Sequence, residues 1–386
     1  YPENDSSTDY FAAATPCYVS SRDGRPTIGA YILNFAFLKA TALNEFLYFS
    51  TFAHEFTHIL GFSNDLFDRY VDQSGKPRGV SNVVTNINID GQTFTAIKLP
   101  EVLSYAKGYF GCDSIQGIPL ENDGGEGSAG SHWEKTFLPQ EYMNPTVENP
   151  GILSGFTMSL LRGTGWYQVS SNAAQNYDWG QNAGCGIFKI CPIGSQGYCQ
   201  ESQVGTSVCS SEWYSKGKCS KDLTFSSGCP MKRSQEHTCL MPGVFQASAT
   251  EYYGPGSRCI NYSSGGPKCH AVQCSAGSMQ IKVGTSVVNC DPTNQNQVQN
   301  VGGASLICPD FRDFCSEFAT RCNNDCNAQG LCITGGYCMC YTGWSGPDCS
   351  TQVPVDYATI TAGGFNGSFL AGISLFLFAL TGALLN

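Results

Sequence analysis

Apolar and polar positions alternate along this chain with more than one period. Residues 1–16 are polar and carry no periodic signal. From Arg25 to Asn34 the run Arg-Pro-Thr-Ile-Gly-Ala-Tyr-Ile-Leu-Asn is rich in β-branched and aromatic residues. It predicts a strand, opened by Pro26. Between Thr41 and Leu60 the apolar positions are Leu43, Phe46, Leu47, Phe49, Phe52, Ala53, Phe56, Ile59 and Leu60. They cover much of a helical circumference, which predicts a helix buried on several sides. Gly61 follows as its C-terminal cap.

Residues 63–130 are mixed. A polar turn at Asp72–Arg78 precedes an alternating, strand-like run from Val80 to Ile97 and a short helical stretch at Glu101–Tyr109. A glycine-rich loop, Glu121 to Gly130, leads into Ser131-His132-Trp133-Glu134, and Glu141-Tyr142-Met143-Asn144-Pro145 follows. Leu153, Phe156, Met158, Leu160 and Leu161 predict a second buried helix from about Ile152 to Gly163. Beyond residue 185 the periodicity fades. Irregular, loop-rich structure is expected there, with short β-segments such as Met279 to Val288. Residues 351–368 form a polar, small-residue linker, and Phe369 to Leu385 is almost wholly apolar.

Composition changes this picture mainly through cysteine. Of the 21 cysteines, only Cys17 and Cys112 precede residue 185. Such density at irregular spacing reads as a disulfide framework made in an oxidising compartment. No C-x-x-C pair occurs, so a zinc-finger reading is poor. The odd count leaves one cysteine over, for a partner in a segment not present or in another chain. A net charge of −10 without any basic run argues against nucleic acid as a partner. Sequons at Asn4, Asn261 and Asn366 fit secretion. The chain starts at Tyr1, so a mature form or an N-terminally incomplete fragment is expected.

The sharpest chemical signal lies on the first helix. His54-Glu55-Phe56-Thr57-His58 reads H-E-x-x-H and is followed by Gly61. Histidines one turn apart share a face and can bind one Zn²⁺, with Glu55 beside the open position as general base. The alternative is a chance match on an ordinary buried helix. In the compact arrangement of such sites a third histidine follows the glycine, but that position here is Asn64. The remaining candidates are His132, His237, His270 or a glutamate. His237 and His270 sit beside cysteines of the disulfide type. His132 follows the glycine-rich loop and precedes Met143 by eleven residues, the order of a third ligand and a methionine turn, so it is the best candidate.

Two resemblances follow from these residues. The spacing C-x3-C-x5-C-x5-C-x-C-x8-C over Cys322–Cys349, with Gly343-Trp344-Ser345-Gly346 in its last loop, resembles an EGF-like module. That resemblance implies pairs Cys322–Cys332, Cys326–Cys338 and Cys340–Cys349. The apolar terminus without Lys or Arg reads as a GPI-attachment signal, with ω candidates Gly363, Gly364, Asn366, Gly367 and Ser368; a single membrane span is the alternative.

The second resemblance is to the leishmanolysin family. It rests on Gly24-Arg25-Pro26 with Gly29, His54-Glu55-x-x-His58-x-x-Gly61-Phe62-Ser63, and Tyr109-x-Gly111-Cys112-Asp113. It continues through Gly127-Ser128-Ala129-Gly130-Ser131-His132, Glu141-x-Met143-x-Pro145, Trp179-Gly180-Gln181-Asn182-Ala183-Gly184-Cys185 and Cys308-Pro309-Asp310. The resemblance implies an α+β fold. Its parts are a metzincin-type core with an inserted segment, a disulfide-rich, mostly β and loop C-terminal domain, and then the EGF-like module. The corresponding division is 1–62 (an incomplete N-terminal catalytic subdomain), 63–131 (insertion), 132–315 (disulfide-rich from 185), 316–350, 351–368 and 369–386. A signal and pro-region would precede it. It further implies one Zn²⁺ per chain on His54, His58 and His132, with Glu55 as base and Met143 as supporting turn. The expected function is cell-surface endopeptidase activity on protein or peptide substrates, with a possible part in adhesion or in degrading host or extracellular proteins. The competing reading is a non-catalytic adhesion or surface-coat protein. Oligomeric state stays open.

Overall fold

The computed structural model describes residues 2–3, 12–34, 45–125, 127–146, 151–169, 174–175, 177, 179–191, 197–211, 213–221, 225–240, 249–275, 278–309, 314–315, 322–333, 337–340 and 343–354. Two compact units emerge. One is built from residues 1–174 with 181–190, the other from 175–180 with 191–355.

The first unit opens with a three-stranded sheet. Its strands are β1 (Pro2–Glu3), β2 (Ala12–Val19) and β3 (Pro26–Asn34), in the order β1-β3-β2. β3 pairs parallel to β1 and antiparallel to β2. The predicted strand is therefore present, but β2 lies in and beyond a stretch without periodicity, and it forms by pairing with β3. Helix α1 (Glu45–Leu60) follows and packs against this sheet, with Tyr31 of β3 on Phe52 at 5.0 Å between ring centroids. Gly29 makes that approach possible: a Cβ there would meet the Ile59 side chain at 2.4 Å. The start expected for this helix, Thr41 to Asn44, lies outside the described residues.

The run from Val80 to Ile97 is not one strand. A helical turn at Val80–Val83 leads into β4 (Val84–Ile89), which returns as β5 (Gln92–Ile97) through Asp90-Gly91, both at positive φ. That Asp-Gly pair is the residue chemistry of a two-residue hairpin turn, and it overrides the continuous alternation. Helix α2 (Pro100–Phe110) comes next, then β6 (Ile118–Pro119) on the edge of β5, then α3 (Gly155–Gly163). Phe156 of α3 is fully buried among Tyr105, Tyr109 and Phe110 of α2, at centroid distances of 4.9–5.3 Å. The disulfide Cys112–Cys185 ties the end of α2 to residue 185.

The second unit is richer in sheet than its sequence suggests. β7 (Ser207–Cys209), β8 (Ser215–Ser220) and β9 (Met231–Thr238) form one antiparallel sheet. β10 (Ser257–Ile260), β11 (Lys268–Ser275), β12 (Ser278–Val283) and β13 (Ser286–Cys290) form a four-stranded meander. β14 (Val298–Val301) pairs with β15 (Ala304–Ile307). The expected segment Met279 to Val288 is thus the hairpin of β12 and β13. Met279, Ile281 and Leu306 are fully buried, and disulfides Cys191–Cys229, Cys199–Cys219, Cys209–Cys259, Cys239–Cys269, Cys274–Cys315 and Cys290–Cys308 brace the strands and the loops between them.

Near the end, β16 (Gly330–Ile333) pairs with β17 (Tyr337–Cys340), and β18 (Trp344–Ser345) with β19 (Thr351–Gln352). Cys326–Cys338 and Cys340–Cys349 are bonded, and Cys322 is also in a disulfide; the Cys332 side chain is outside the described residues. Cys17 is exposed and, among the described residues, forms no disulfide. No helix of the described residues is long and apolar enough to cross a membrane. The terminal apolar run 369–386, the ω candidates, most of the linker, and sequons Asn4 and Asn366 lie outside the described residues.

Phe156→Ala would empty the space between α2 and α3. We expect a loss of about 3–5 kcal/mol, read as a lowered melting temperature of the purified chain by circular dichroism.

Candidate metal centre

The site joins α1 to the stretch from Ser128 to Met143. His54 and His58 are one turn apart on α1 and so project from one face. The helix ends at Gly61, which takes φ +152° while the Phe62 N–H closes back on Thr57 O at 3.0 Å. That turn carries the Phe62 carbonyl to the ring of His58, whose Nδ1 donates to it at 2.7 Å. His54 Nδ1 donates to Tyr142 O at 2.5 Å.

His132 arrives through the 63–131 segment. β5 and β6 carry the chain to Leu120, which bridges Trp133 across the loop; Glu121 N–H donates to His132 O at 2.9 Å, and Gly130 N–H to Glu121 O at 2.8 Å. Asn64 closes the other end. Its backbone N–H donates to Ser131 Oγ and its Nδ2 to Ala129 O, each at 3.2 Å. The residue standing where a compact motif has its third histidine therefore clasps the loop that delivers a distant one. His132 Nδ1 donates to Ser128 O at 3.0 Å.

A carbonyl only accepts, so each of these Nδ1 atoms carries the ring proton. Each Nε2 is then a bare lone pair in the neutral ring. The three converge: His54 Nε2 lies 3.1 Å from His58 Nε2 and 3.2 Å from His132 Nε2. Lone pairs at that distance cannot satisfy one another and need a shared acid between them. Protons are disfavoured. Burial first, then the charge of His58, pushes His54 down to about 3; burial pushes His58 down to about 4; burial and then both neighbours hold His132 well below the usual imidazole range. A cation can serve as that acid. Nitrogens sharing a tetrahedral ion at 2.0–2.1 Å per bond stand about 3.3 Å apart, close to what is seen. His54, His58 and His132 could hold a metal ion.

Glu55 lies on the same helix, buried, and accepts the backbone N–H of Ala14 from β2. Burial pushes its carboxyl up to about 8, and the Ala14 N–H opposes that shift. A cation nearby would lower it again. Met143 is fully buried directly after Tyr142; its N–H donates to Glu141 Oε2 at 2.6 Å and its carbonyl accepts from Trp133 N at 3.1 Å. Tyr142 also joins α1 through its hydroxyl, 2.5 Å from Thr57 Oγ1. Of the other histidines, His270 is a core residue of the second unit, satisfied by Tyr262 OH at 2.7 Å and Lys282 O at 3.2 Å. The His237 side chain is outside the described residues. Sequence reading did not find Phe62, Ser128 and Tyr142, because a carbonyl acceptor leaves no mark on residue identity. Asn64 was visible as an exception to the compact pattern, but its clasping role was not.

Comparison with known proteins gives the chain a family context. A peptidase family model described as leishmanolysin matches residues 2–227. Leishmanolysin of Leishmania major is 26% identical over 365 residues, covering 79% of this chain and 57% of that protein. A leishmanolysin-like peptidase of Caenorhabditis elegans is 33% identical over 172 residues, 37% of this chain and 26% of its own length. One from Drosophila melanogaster is 30% identical over 165 residues, 35% of this chain and 24% of its own. The matched region is thus little more than half of the Leishmania protein and about a quarter of the two animal proteins.

His132→Ala should lower the metal content of the purified chain well below one ion, measured by elemental analysis. Asn64→Ala should keep the ion but speed its loss to a chelator, because the loop end is no longer clasped.

Proposed function

The chain belongs to the leishmanolysin family of peptidases, and from that premise we propose that it is a zinc-dependent endopeptidase acting on proteins. The observation that carries the reading is the convergence of three Nε2 lone pairs whose Nδ1 atoms are all committed to carbonyls. His54, His58 and His132 would hold Zn²⁺, an imidazole set that suits this ion. When bound, zinc polarises the scissile carbonyl and makes water acidic enough to be used at neutral pH.

The chain's own residues supply the rest. Glu55 takes the proton of the attacking water on its carboxylate and returns it to the leaving amine. Its burial keeps bulk water from competing for that proton, and the Ala14 N–H orients it. β2 is an edge strand of its sheet, and Ala14 lies on it beside Glu55. An extended substrate would add to that edge as a further strand, main chain to main chain. The Tyr142 carbonyl fixes the ring of His54, and Met143 follows it as the supporting turn of this reading.

The wider assignments belong to the same proposal. Secretion, display at the cell surface through a GPI anchor or a single span, an EGF-like unit over 316–350 as a spacer, and the division at 62, 131 and 315 rest on the sequence motifs and the disulfide spacing.

The purified chain should degrade casein and lose that activity to 1,10-phenanthroline. Glu55→Gln is expected to lower the rate about 10²–10⁴-fold with its zinc content unchanged. Wild-type rates in that variant would remove Glu55 from the role of base.

A further inference from the structure

Tyr142 O and Met143 N–H belong to one peptide unit. In a trans peptide the two groups point in opposite directions. Here the N–H donates to Glu141 Oε2 at 2.6 Å, and the carbonyl accepts from His54 Nδ1 at 2.5 Å. A buried carboxylate, a peptide and a candidate metal ligand thus stand in line. We propose that Glu141 is a positioning residue for His54, acting through the Tyr142–Met143 peptide; this rests on the zinc-peptidase reading.

The surroundings of Glu141 support that role. It is fully buried, and its other oxygen, Oε1, accepts from Ser154 Oγ at 2.8 Å, Ser154 N at 3.3 Å and Thr157 Oγ1 at 2.5 Å. Every one of these neighbours donates, so the arrangement suits the ionised carboxylate. Burial pushes the carboxyl up to about 7, and the donors from Thr157, Met143 and Ser154 oppose that shift. An anion on the N–H side of a peptide makes its carbonyl a stronger acceptor. The ring proton of His54 is then held more firmly on Nδ1, and Nε2 becomes a better donor to a cation. Metal-bound histidines commonly hand their second N–H to a carboxylate or carbonyl. Here one peptide unit is placed between the two.

The same carboxylate also reaches the His132 side. Trp133 Nε1–H donates to Thr157 Oγ1 at 2.9 Å, and that hydroxyl donates onward to Glu141. Glu141 therefore links the turn behind His54 to the residue following His132.

The test uses the full chain and compares zinc affinity, by competition with a chromophoric chelator, with the melting temperature of the metal-free protein. Glu141→Gln turns an N–H₂ toward either Met143 N–H or the Ser154 and Thr157 hydroxyls. It should weaken zinc binding about tenfold, the low end for outer partners of metal ligands. Phe156→Ala removes packing against α2 and no hydrogen bond to Glu141, so it should lower the melting temperature and leave zinc affinity unchanged. If Glu141→Gln does not fold, Glu141→Asp, which withdraws the carboxylate from Met143, should weaken zinc in the same sense. Unchanged affinity in the Glu141 variants, or equal weakening in Phe156→Ala, overturns the proposal. A wild-type chain that binds no zinc overturns instead the reading on which it rests.

Discussion

The candidate centre depends on where three ring protons go. An imidazole offers either nitrogen to a cation, and free rotation would leave the lone pairs pointing anywhere. The carbonyls of Phe62, Ser128 and Tyr142 remove that freedom, because each can only accept. Each bond fixes a tautomer and a ring angle together. The rings of His58 and His132 meet near a right angle, at 83°, as do those of His54 and His58, at 82°. Nothing in this arrangement comes from the histidines alone. It comes from a helix end, a glycine-rich loop and the turn before Met143, each setting one peptide plane.

The two units reach rigidity by different routes, and the difference suits the chemistry. The first has an aromatic core, with Phe62 on Trp133 at 4.9 Å and Phe156 among the α2 aromatics. It contains one disulfide among its described residues, Cys112–Cys185. Dense packing of this kind limits side-chain motion and transmits displacement. The second has short strands with modest apolar faces, and disulfides tie these strands to one another or to the loops beside them. Cross-links of that kind restrict the unfolded chain and stabilise sheets too small to do so by burial. The cysteine-poor stretch of the sequence is thus the one that carries the candidate chemistry.

Much of this was legible, for reasons that can be named. α1 was visible because a helix apolar on several sides needs the same spacing whatever surrounds it. The H-E-x-x-H spacing and Gly61 were visible because they are local. β2 was not visible: its residues alternate poorly, and its form depends on β3. The hairpin of β4 and β5 was signalled by Asp90-Gly91, but the flanking alternation hid it. In the second unit β12 shows clean alternation, while β10 and β8 are specified by partners across the sheet. The candidate site residues split the same way. His54, Glu55 and His58 could be found by spacing, and His132 by its order relative to Met143. The carbonyls that orient them belong to the backbone and carry no residue signature.

Asn64 shows how a distant candidate ligand can be placed as well as a near one. In a compact motif the third ligand lies six positions past His58; here His132 lies 74 past it. For a flexible chain, closing the longer loop costs about 2 kcal/mol more, since the penalty grows only with the logarithm of length. That penalty falls on the intervening segment rather than on the candidate site. The β4–β5 hairpin, α2 and β6 form within it, and its two ends are already joined by Asn64 to Ser131 and Ala129. His132 is then as local to α1 in space as a compact ligand would be in sequence. An inserted segment that clasps its own ends leaves the distance across the site independent of the insertion's length. Such a segment could change in size without moving the three nitrogens.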